Sequence, residues 1–216
     1  TKGKQSMQMS DGSDAYLGSG DIFVQEPDEI VQTESGYGGT QSQWASVVTP
    51  QGYFCLDYRN RTVYMVTDKF TDIGAAGLAK WFTDNIPYSL ENYGIGNFDN
   101  PIVGVGFHTV WDEKYSRILL TKRDLVPTSA FIADYNNKII TFNKDIGQYE
   151  INLDGTATKT RATSIEWGNS TYFTKGGWTV SYSPATSSWV SFHDYIPYIY
   201  SYDKEHMLSM QDGGTE

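Results

Sequence analysis

The feature that most constrains the fold is a recurring pattern in which an aromatic or aliphatic run meets a short polar turn and then a second apolar alternation. Alternation with period two puts every other side chain on one face of a strand, and Asp or Asn in the turn tolerates left-handed backbone geometry. The pattern predicts antiparallel β-hairpins. It occurs in five segments, at residues 52–66, 107–120, 131–142, 178–192 and 198–210.

Repeated hairpins predict an all-β fold, and recurrence along the chain favours a propeller-like arrangement with a β-sandwich as the alternative. The composition agrees, because 16 Tyr, 10 Phe and 6 Trp favour the pleated surface of a strand while 21 Gly supply turns. The turn aspartates are unevenly spaced, which is less typical of a regular propeller. They are Asp57, Asp112, Asp134 and Asp203.

One segment departs from the β pattern. Residues 73–85 place alanines, Leu78, Trp81 and Phe82 at helical spacing and stop before Pro87, which predicts one short helix around residues 74–85. The connection that follows, residues 87–101, is rich in Gly, Asn and Pro and is predicted to be a surface loop.

Two regions differ in composition. Residues 1–34 are rich in Gln, Ser, Gly and Asp and predict an extended or poorly ordered lead-in, whereas residues 35–216 hold the hairpin repeats. The chain opens without Met and closes on a loop-like sequence, so we expect a fragment of a longer polypeptide.

The formal net charge is −10, from 16 basic and 26 acidic residues. A surface of this sign repels phosphate and gives no counterion-release drive toward nucleic acid. No apolar run approaches the roughly 20 residues that a membrane helix needs, so we predict no membrane segment. Cys55, the single cysteine, lies in an apolar run, which predicts a buried thiol.

Motifs for nucleotide and metal chemistry are incomplete. The GxG tripeptides at 94–96 and 104–106 lack the third glycine of a dinucleotide-binding loop, and no P-loop is present. His108, His193 and His206 are scattered and form neither HxH nor HExxH. We predict no cofactor and no metal; ion binding by three acidic residues of the lead-in stays open: Asp11, Asp14 and Asp21.

The sequence contains no recognisable set of catalytic residues. His193 and Asp194 are adjacent, but neighbouring strand residues point to opposite faces of a sheet. Most acidic residues fall in predicted turns, where bonding to the backbone accounts for them. We predict that the chain is not an enzyme. The enzymatic alternative is carbohydrate degradation by a pair of carboxylates drawn from Glu166, Asp154 and Asp194.

Aromatic side chains also suggest a binding surface. The best candidates for contact residues lie on the predicted helix and near the C-terminal end of the chain: Trp81, Phe82, Trp189, Tyr195, Tyr198 and Tyr200. They would pack against another protein, or stack on a surface glycan, or fill the core of the sheets. Whether Trp189 lines a groove or lies in the core distinguishes these hypotheses.

Four phrases of the sequence together resemble a known family. They are GYGGTQSQWASVVTPQGYFCLDYRNRTVYMV, IGAAGLAKWFTDN, NPIVGVGFHTVWDEKYSRILLTKRD and WTVSYSPATSSWVSFHDYIPYIYS. In this order they are similar to the tail stabilization or muzzle proteins of crAss-like phages, podoviruses that infect gut Bacteroidetes. The resemblance covers about residues 35–210.

The resemblance implies a virion protein of the distal tail, in several copies around the DNA exit channel. Its partners would be other tail proteins and copies of itself, and the resemblance brings no catalytic residues. Members of the family are much longer than 216 residues, in agreement with a fragment. We further hypothesise that an acidic wall, suggested by the net charge of −10, lets DNA pass without specific binding.

Overall fold

The computed structural model describes residues 5–8, 14–17, 38–96, 98–155, 162–203 and 206–210. The helices in these ranges are α1 (Ala79–Asn85) and α2 (Ser129–Asn136), with a short 3-10 helix at Glu91–Tyr93. The strands are β1 (Gln5–Gln8), β2 (Asp14–Leu17), β3 (Ser46–Thr49), β4 (Gly52–Asp57), β5 (Thr62–Val66), β6 (Phe70–Asp72), β7 (Gly106–Asp112), β8 (Arg117–Pro127), β9 (Ile140–Asn143), β10 (Gln148–Asn152), β11 (Ala162–Ser164), β12 (Phe173–Ser183), β13 (Ser188–His193), β14 (Ile199–Asp203) and β15 (His206–Met210).

Every described strand pair is antiparallel, which confirms the all-β prediction. A four-stranded meander has the order β3-β4-β5-β6, and a second four-stranded sheet, the central sheet, has the order β13-β12-β8-β7. Smaller sheets are β11-β10-β9, β14-β15 and β1-β2. The described strands close no barrel, so the propeller-like arrangement stays a prediction, as does the sandwich.

Within the predicted lead-in, the backbones of β1 and β2 pair as a hairpin. The acidic residues considered there for ion binding lie outside what the structure describes: Asp11, Asp21 and the side chain of Asp14.

Four of the five predicted hairpins are confirmed: β4–β5, β7–β8, β12–β13 and β14–β15. The first shows the expected turn chemistry, because Asp57 Oδ1 accepts the backbone N–H of Asn60 at 3.0 Å. Three of these turns contain a residue with positive φ: 53° at Arg61, 47° at Ser116 and 50° at Ser187.

The fifth predicted hairpin, at residues 131–142, is wrong. Ser129–Asn136 form α2, and only β9 at Ile140–Asn143 is a strand there. Thr128 caps the helix, since its Oγ1 accepts the N–H of Phe131 at 3.2 Å. This cap and the full burial of Phe131 override the strand preference of the aromatic and β-branched residues.

The predicted short helix is confirmed but begins later than expected. Residues 74–78 precede α1 in a turn, in which Gly77 has a φ of +87°. A Cβ at Gly74 would lie 2.9 Å from the backbone nitrogen of Val63. Glycine therefore permits the turn to approach β5 closely.

The connection between α1 and β7 is not the surface loop predicted for residues 87–101. Leu90 is fully buried within it. Lys122 of β8 holds the start of the connection, because its Nζ donates to the backbone oxygens of Asn85 and Pro87 at 3.0 and 2.7 Å. The apolar residues that are spaced along this glycine-rich stretch thus extend the core.

One hydrophobic core joins the meander, the central sheet, both helices and the connection between α1 and β7. Cys55 is buried, as predicted, with 1% of its surface exposed, and burial raises the pKa of its thiol to about 11. The thiol is therefore protonated and unreactive at neutral pH. Among the described residues, no helix has the length and apolar character needed to cross a membrane.

Candidate interaction surface

Buried carboxylates are candidate catalytic groups, and the three that the described ranges contain all hold the fold together. Asp57 caps a turn, Asp112 Oδ2 accepts from Arg117 Nε at 2.9 Å, and Asp124 Oδ2 lies 2.8 Å from Lys122 Nζ. The residues considered for glycoside hydrolysis are exposed: Glu166, Asp154 and Asp194. Across the described residues, no three His, Cys, Asp or Glu side chains cluster in a way that could hold a metal ion.

The two predicted contact residues of α1 have different environments. Phe82 is fully buried, with its ring centroid 4.8 Å from that of Trp189 and 6.2 Å from that of Trp178. Its ring offers a partner no surface, which makes Phe82 a core residue. Trp81 is half-buried, and its ring lies 4.8 Å from Trp178 and 5.0 Å from Phe192.

Trp189 packs against the core. Its Nε1 donates to the backbone oxygen of Ile73 at 3.0 Å, and its ring lies 5.1 Å from that of Tyr182. The indole N–H is therefore satisfied within the chain. This placement favours sheet packing over a glycan-binding groove for this residue.

A β-bulge determines which way the side chains of β13 point. The pairing of β13 with β12 skips Val190. In a regular strand, residues three apart such as Trp189 and Phe192 would face opposite sides of the sheet. The extra residue brings both rings to the face that α1 covers, where each contacts a ring of the helix.

β13 is an edge strand, because the described strands give it one partner, β12. Val190 and Phe192 are each 56% exposed, and the six residues of β13, SWVSFH, include no formally charged side chain. Charged residues or proline commonly protect an edge strand from association. Within β13 itself the bulge is the protective feature. We name Trp81, Val190 and Phe192 the β13 surface. It is suited to side-chain packing, since the bulge interrupts a continued ladder.

The remaining predicted contact residues cover the opposite face of the central sheet: Tyr195, Tyr198 and Tyr200. That face is polar where they lie. Tyr200 Oη is 2.8 Å from Thr121 Oγ1, and the ring centroid of Tyr198 is 3.8 Å from the guanidinium carbon of Arg123. The backbone oxygen of Tyr195 accepts from Thr179 Oγ1 at 2.7 Å. All three residues make contacts within the chain.

His108 is buried beneath this cover. Its Nε2 lies 2.9 Å from the backbone oxygen of Pro197, which can only accept, so Nε2 carries the proton of the neutral ring. Its ring centroid lies 4.8 Å from that of Tyr200, and among the described residues Nδ1 has no hydrogen-bond partner. Burial, helped by the charge of Arg123, lowers the pKa of His108 to about 4.

We expect the chain to lose stability as the pH falls below the pKa of an ordinary histidine. The pKa of His108 drops from 6.5 to about 4 on folding, so the unfolded state binds this proton more readily. The stabilisation is complete above pH 6.5 and is lost at about 1.4 kcal/mol per pH unit down to the folded pKa. Urea unfolding at neutral pH and at about pH 4.5 measures the loss.

The matched variant for this prediction is His108→Gln, whose amide can still donate to the oxygen of Pro197. The difference in unfolding free energy between the two proteins should shrink toward acidic pH. A difference that is the same at both pH values would contradict the assignment.

The sequence did not predict that Val190 and Phe192 belong to the β13 surface. It also did not predict that Trp178 packs against Trp81 of that surface. Strict alternation through β13 places Phe192 opposite Trp189, and no glycine marks the bulge that overturns this pattern. The lack of charge in β13 was the available signal that its outer edge has no partner among the described strands.

Comparison of the chain with models of protein families and with curated proteins gives no match in either case.

Proposed function

We propose that this chain is a non-enzymatic structural module of a phage virion tail. It packs against copies of itself and neighbouring tail proteins around the DNA channel. The observation that carries the packing role is the β13 surface, an uncharged edge strand with half-exposed Val190 and Phe192, of which Phe192 contacts Trp81. The tail setting comes from the resemblance of residues 35–210 to the muzzle-type proteins.

A role without catalysis is supported by the carboxylates. The buried ones, Asp57, Asp112 and Asp124, are each bonded to backbone, arginine or lysine partners that fix a turn or a loop. These bonds give each of the three carboxylates a structural role.

The expected strength of association through the β13 surface follows from the apolar area that the contact would bury. Burying a Val or Phe side chain fully contributes about 1.5–3 kcal/mol. Roughly half of the Val190 and Phe192 side chains is already covered within the chain, so a partner would gain about half of this. Association also costs rotational and translational freedom. A single contact through the β13 surface is therefore weak, and several such contacts in a closed assembly would strengthen one another.

Light scattering of the purified chain over a range of concentrations tests the proposal. We expect the mass to rise with concentration and to level off at a discrete oligomer. A mass equal to that of one chain up to about millimolar concentration would contradict it.

We expect Val190→Lys to weaken self-association at least about tenfold, because packing the surface would then desolvate an ammonium group. The side chain is 56% exposed, so the variant should fold with nearly unchanged stability. Sedimentation equilibrium gives the association constant.

The matched control is Val48→Lys, which makes the same change at a valine that is 75% exposed on β3. It should associate like the wild type. Equal weakening by both substitutions would show that net charge, and not the β13 surface, controls association.

The DNA-facing part of the proposal is supported by the net charge of −10 alone. An acidic channel wall repels the phosphate backbone, so DNA would slide past the protein without being held. A basic lumen in an assembled tail would contradict this part.

A further inference from the structure

A cavity of about 500 Å³ lies between the C-terminal end of α2, β9 and the turn after β9, with Gly94 on its far side. This volume is in the range of small-ligand sites. A second cavity of about 370 Å³ shares Gly94, Phe142 and Lys144 with the first and continues to Phe98. The two cavities adjoin at these shared residues, and we name them together the α2 groove. It does not include the β13 surface.

The aromatic walls of the α2 groove are held in place from behind. Tyr135 stacks on the buried Phe131 with 5.8 Å between ring centroids and meets Tyr93 edge-on at 5.2 Å. Phe142 meets the buried Tyr149 at 4.9 Å. The two rings are therefore preorganised, which reduces the entropy lost on binding a ligand.

Gly94 lets the groove exist in this shape. Its φ is +92°, and a Cβ there would lie 3.3 Å from Phe142 Cβ and 3.6 Å from the Tyr135 hydroxyl. A side chain at this position would occupy the space between the two aromatic walls. The glycine thus gives a ligand access to both rings.

Two cations border the groove in a chain of net charge −10: Lys138 and Lys144. Lys138 follows α2 with a φ of +61°, and the N–H groups of Lys138 and Ile139 bond the oxygens of Tyr135 and Asp134. This is the C-terminal capping geometry in which glycine is strongly preferred. Glycine would therefore suit the backbone at this position, and the cap does not need the charge of Lys138.

Polar groups accompany the cations. Thr141 lines the cavity, and its Oγ1 is buried with no hydrogen-bond partner among the described residues. Buried hydroxyls are normally satisfied. Asn136 adds an exposed side-chain amide at the rim.

We infer that the α2 groove binds an acidic saccharide, a chain of sugars that bear carboxylate groups. The C–H faces of sugar rings pack on the fixed aromatic walls, and a sugar hydroxyl bonds to the exposed amide of Asn136. Lys138 and Lys144 bind the carboxylates through charge-assisted hydrogen bonds. The two adjoining cavities have room for more than one sugar unit.

The position of α2 disfavours the competing ligand, a nucleotide. The groove lies at the C-terminal end of the helix, where the helix dipole is negative and repels a multiply charged phosphate. Phosphate sites are typically built at helix N-termini. In an acidic saccharide the single charges are spread along the chain, one on each sugar, and the sugar hydroxyls can donate to oxygens near a helix end.

The test titrates the protein with a trimer of galacturonic acid, followed by calorimetry and by the backbone amide signals in NMR. Saturable binding that shifts the amides of Gly94, Thr141 and Lys144 is expected. The neutral galactose trimer should bind at least about tenfold more weakly, since it lacks the charge-assisted bonds.

Three variants locate the site. Lys144→Gln and Lys138→Gly should each weaken binding about tenfold. Lys138→Gly should melt at or above the wild-type temperature, because glycine suits the capping position, so lost binding cannot be assigned to unfolding. Lys69→Gln, at an exposed lysine of the meander, is the matched control and should bind like the wild type.

Several results would overturn the inference. They are the absence of saturable binding by the uronate trimer, equal binding of the neutral trimer, and unchanged binding in both groove variants. Tighter binding of ADP than of the uronate trimer would assign the groove to nucleotides instead.

Discussion

Replacing Phe82 by alanine is expected to lower the free energy of unfolding by about 3–5 kcal/mol. Phe82 is fully buried and lies in ring contact with Trp81, Trp178 and Trp189. Removing its ring leaves a cavity between α1 and the central sheet, which the three indoles cannot fill without leaving their positions. Denaturant unfolding followed by tryptophan fluorescence measures the loss.

The conservative variant Phe82→Leu serves as the control. It retains most of the apolar volume, so it should lose clearly less stability than Phe82→Ala. A loss below about 1 kcal/mol for Phe82→Ala would mean that α1 does not pack on the central sheet as described.

The second large effect is expected for Lys122→Met, at about 3–5 kcal/mol. Lys122 Nζ lies 2.8 Å from Asp124 Oδ2, and both side chains are buried. Burial lowers the pKa of Lys122, and the attraction of Asp124 opposes this. Without the ammonium group, a buried carboxylate loses its counter-charge and two backbone oxygens lose their donor. Thermal and urea unfolding measure the effect.

The double variant Lys122→Met with Asp124→Asn separates charge from packing. The amide that this variant places at position 124 needs no counter-charge and can still accept the N–H of Ser89, which Asp124 accepts at 3.0 Å. We expect the double variant to be more stable than Lys122→Met alone. If it is less stable, the unpaired carboxylate is not what destabilises the single variant.

The hairpins could be predicted from the sequence because their causes are local. Alternating apolar residues define the strands, and residues such as Asp57 and Asn60 define the turns. α2 was missed because its aromatic and β-branched residues favour strands, while the cap at Thr128 and the burial of Phe131 favour a helix. The threonine that follows Pro127 was the available helix-start signal.

The positions of the predicted contact residues depended on long-range packing. Residue type alone does not separate Phe82, which is buried, from Trp81 beside it, which is half-exposed. The C-terminal tyrosines were predicted to face a partner, and the structure adds contacts within the chain, of which the bond between Thr121 and Tyr200 joins residues far apart in the sequence. The bulge at Val190 has no local sequence signal.

Hydrogen–deuterium exchange at low and high protein concentration tests the central claim, that the chain assembles through the β13 surface. We expect the amides of β13 and α1 to exchange more slowly at high concentration, and this protection to disappear in Val190→Lys. Exchange that is independent of concentration, or protection confined to other elements such as β3, would contradict the claim.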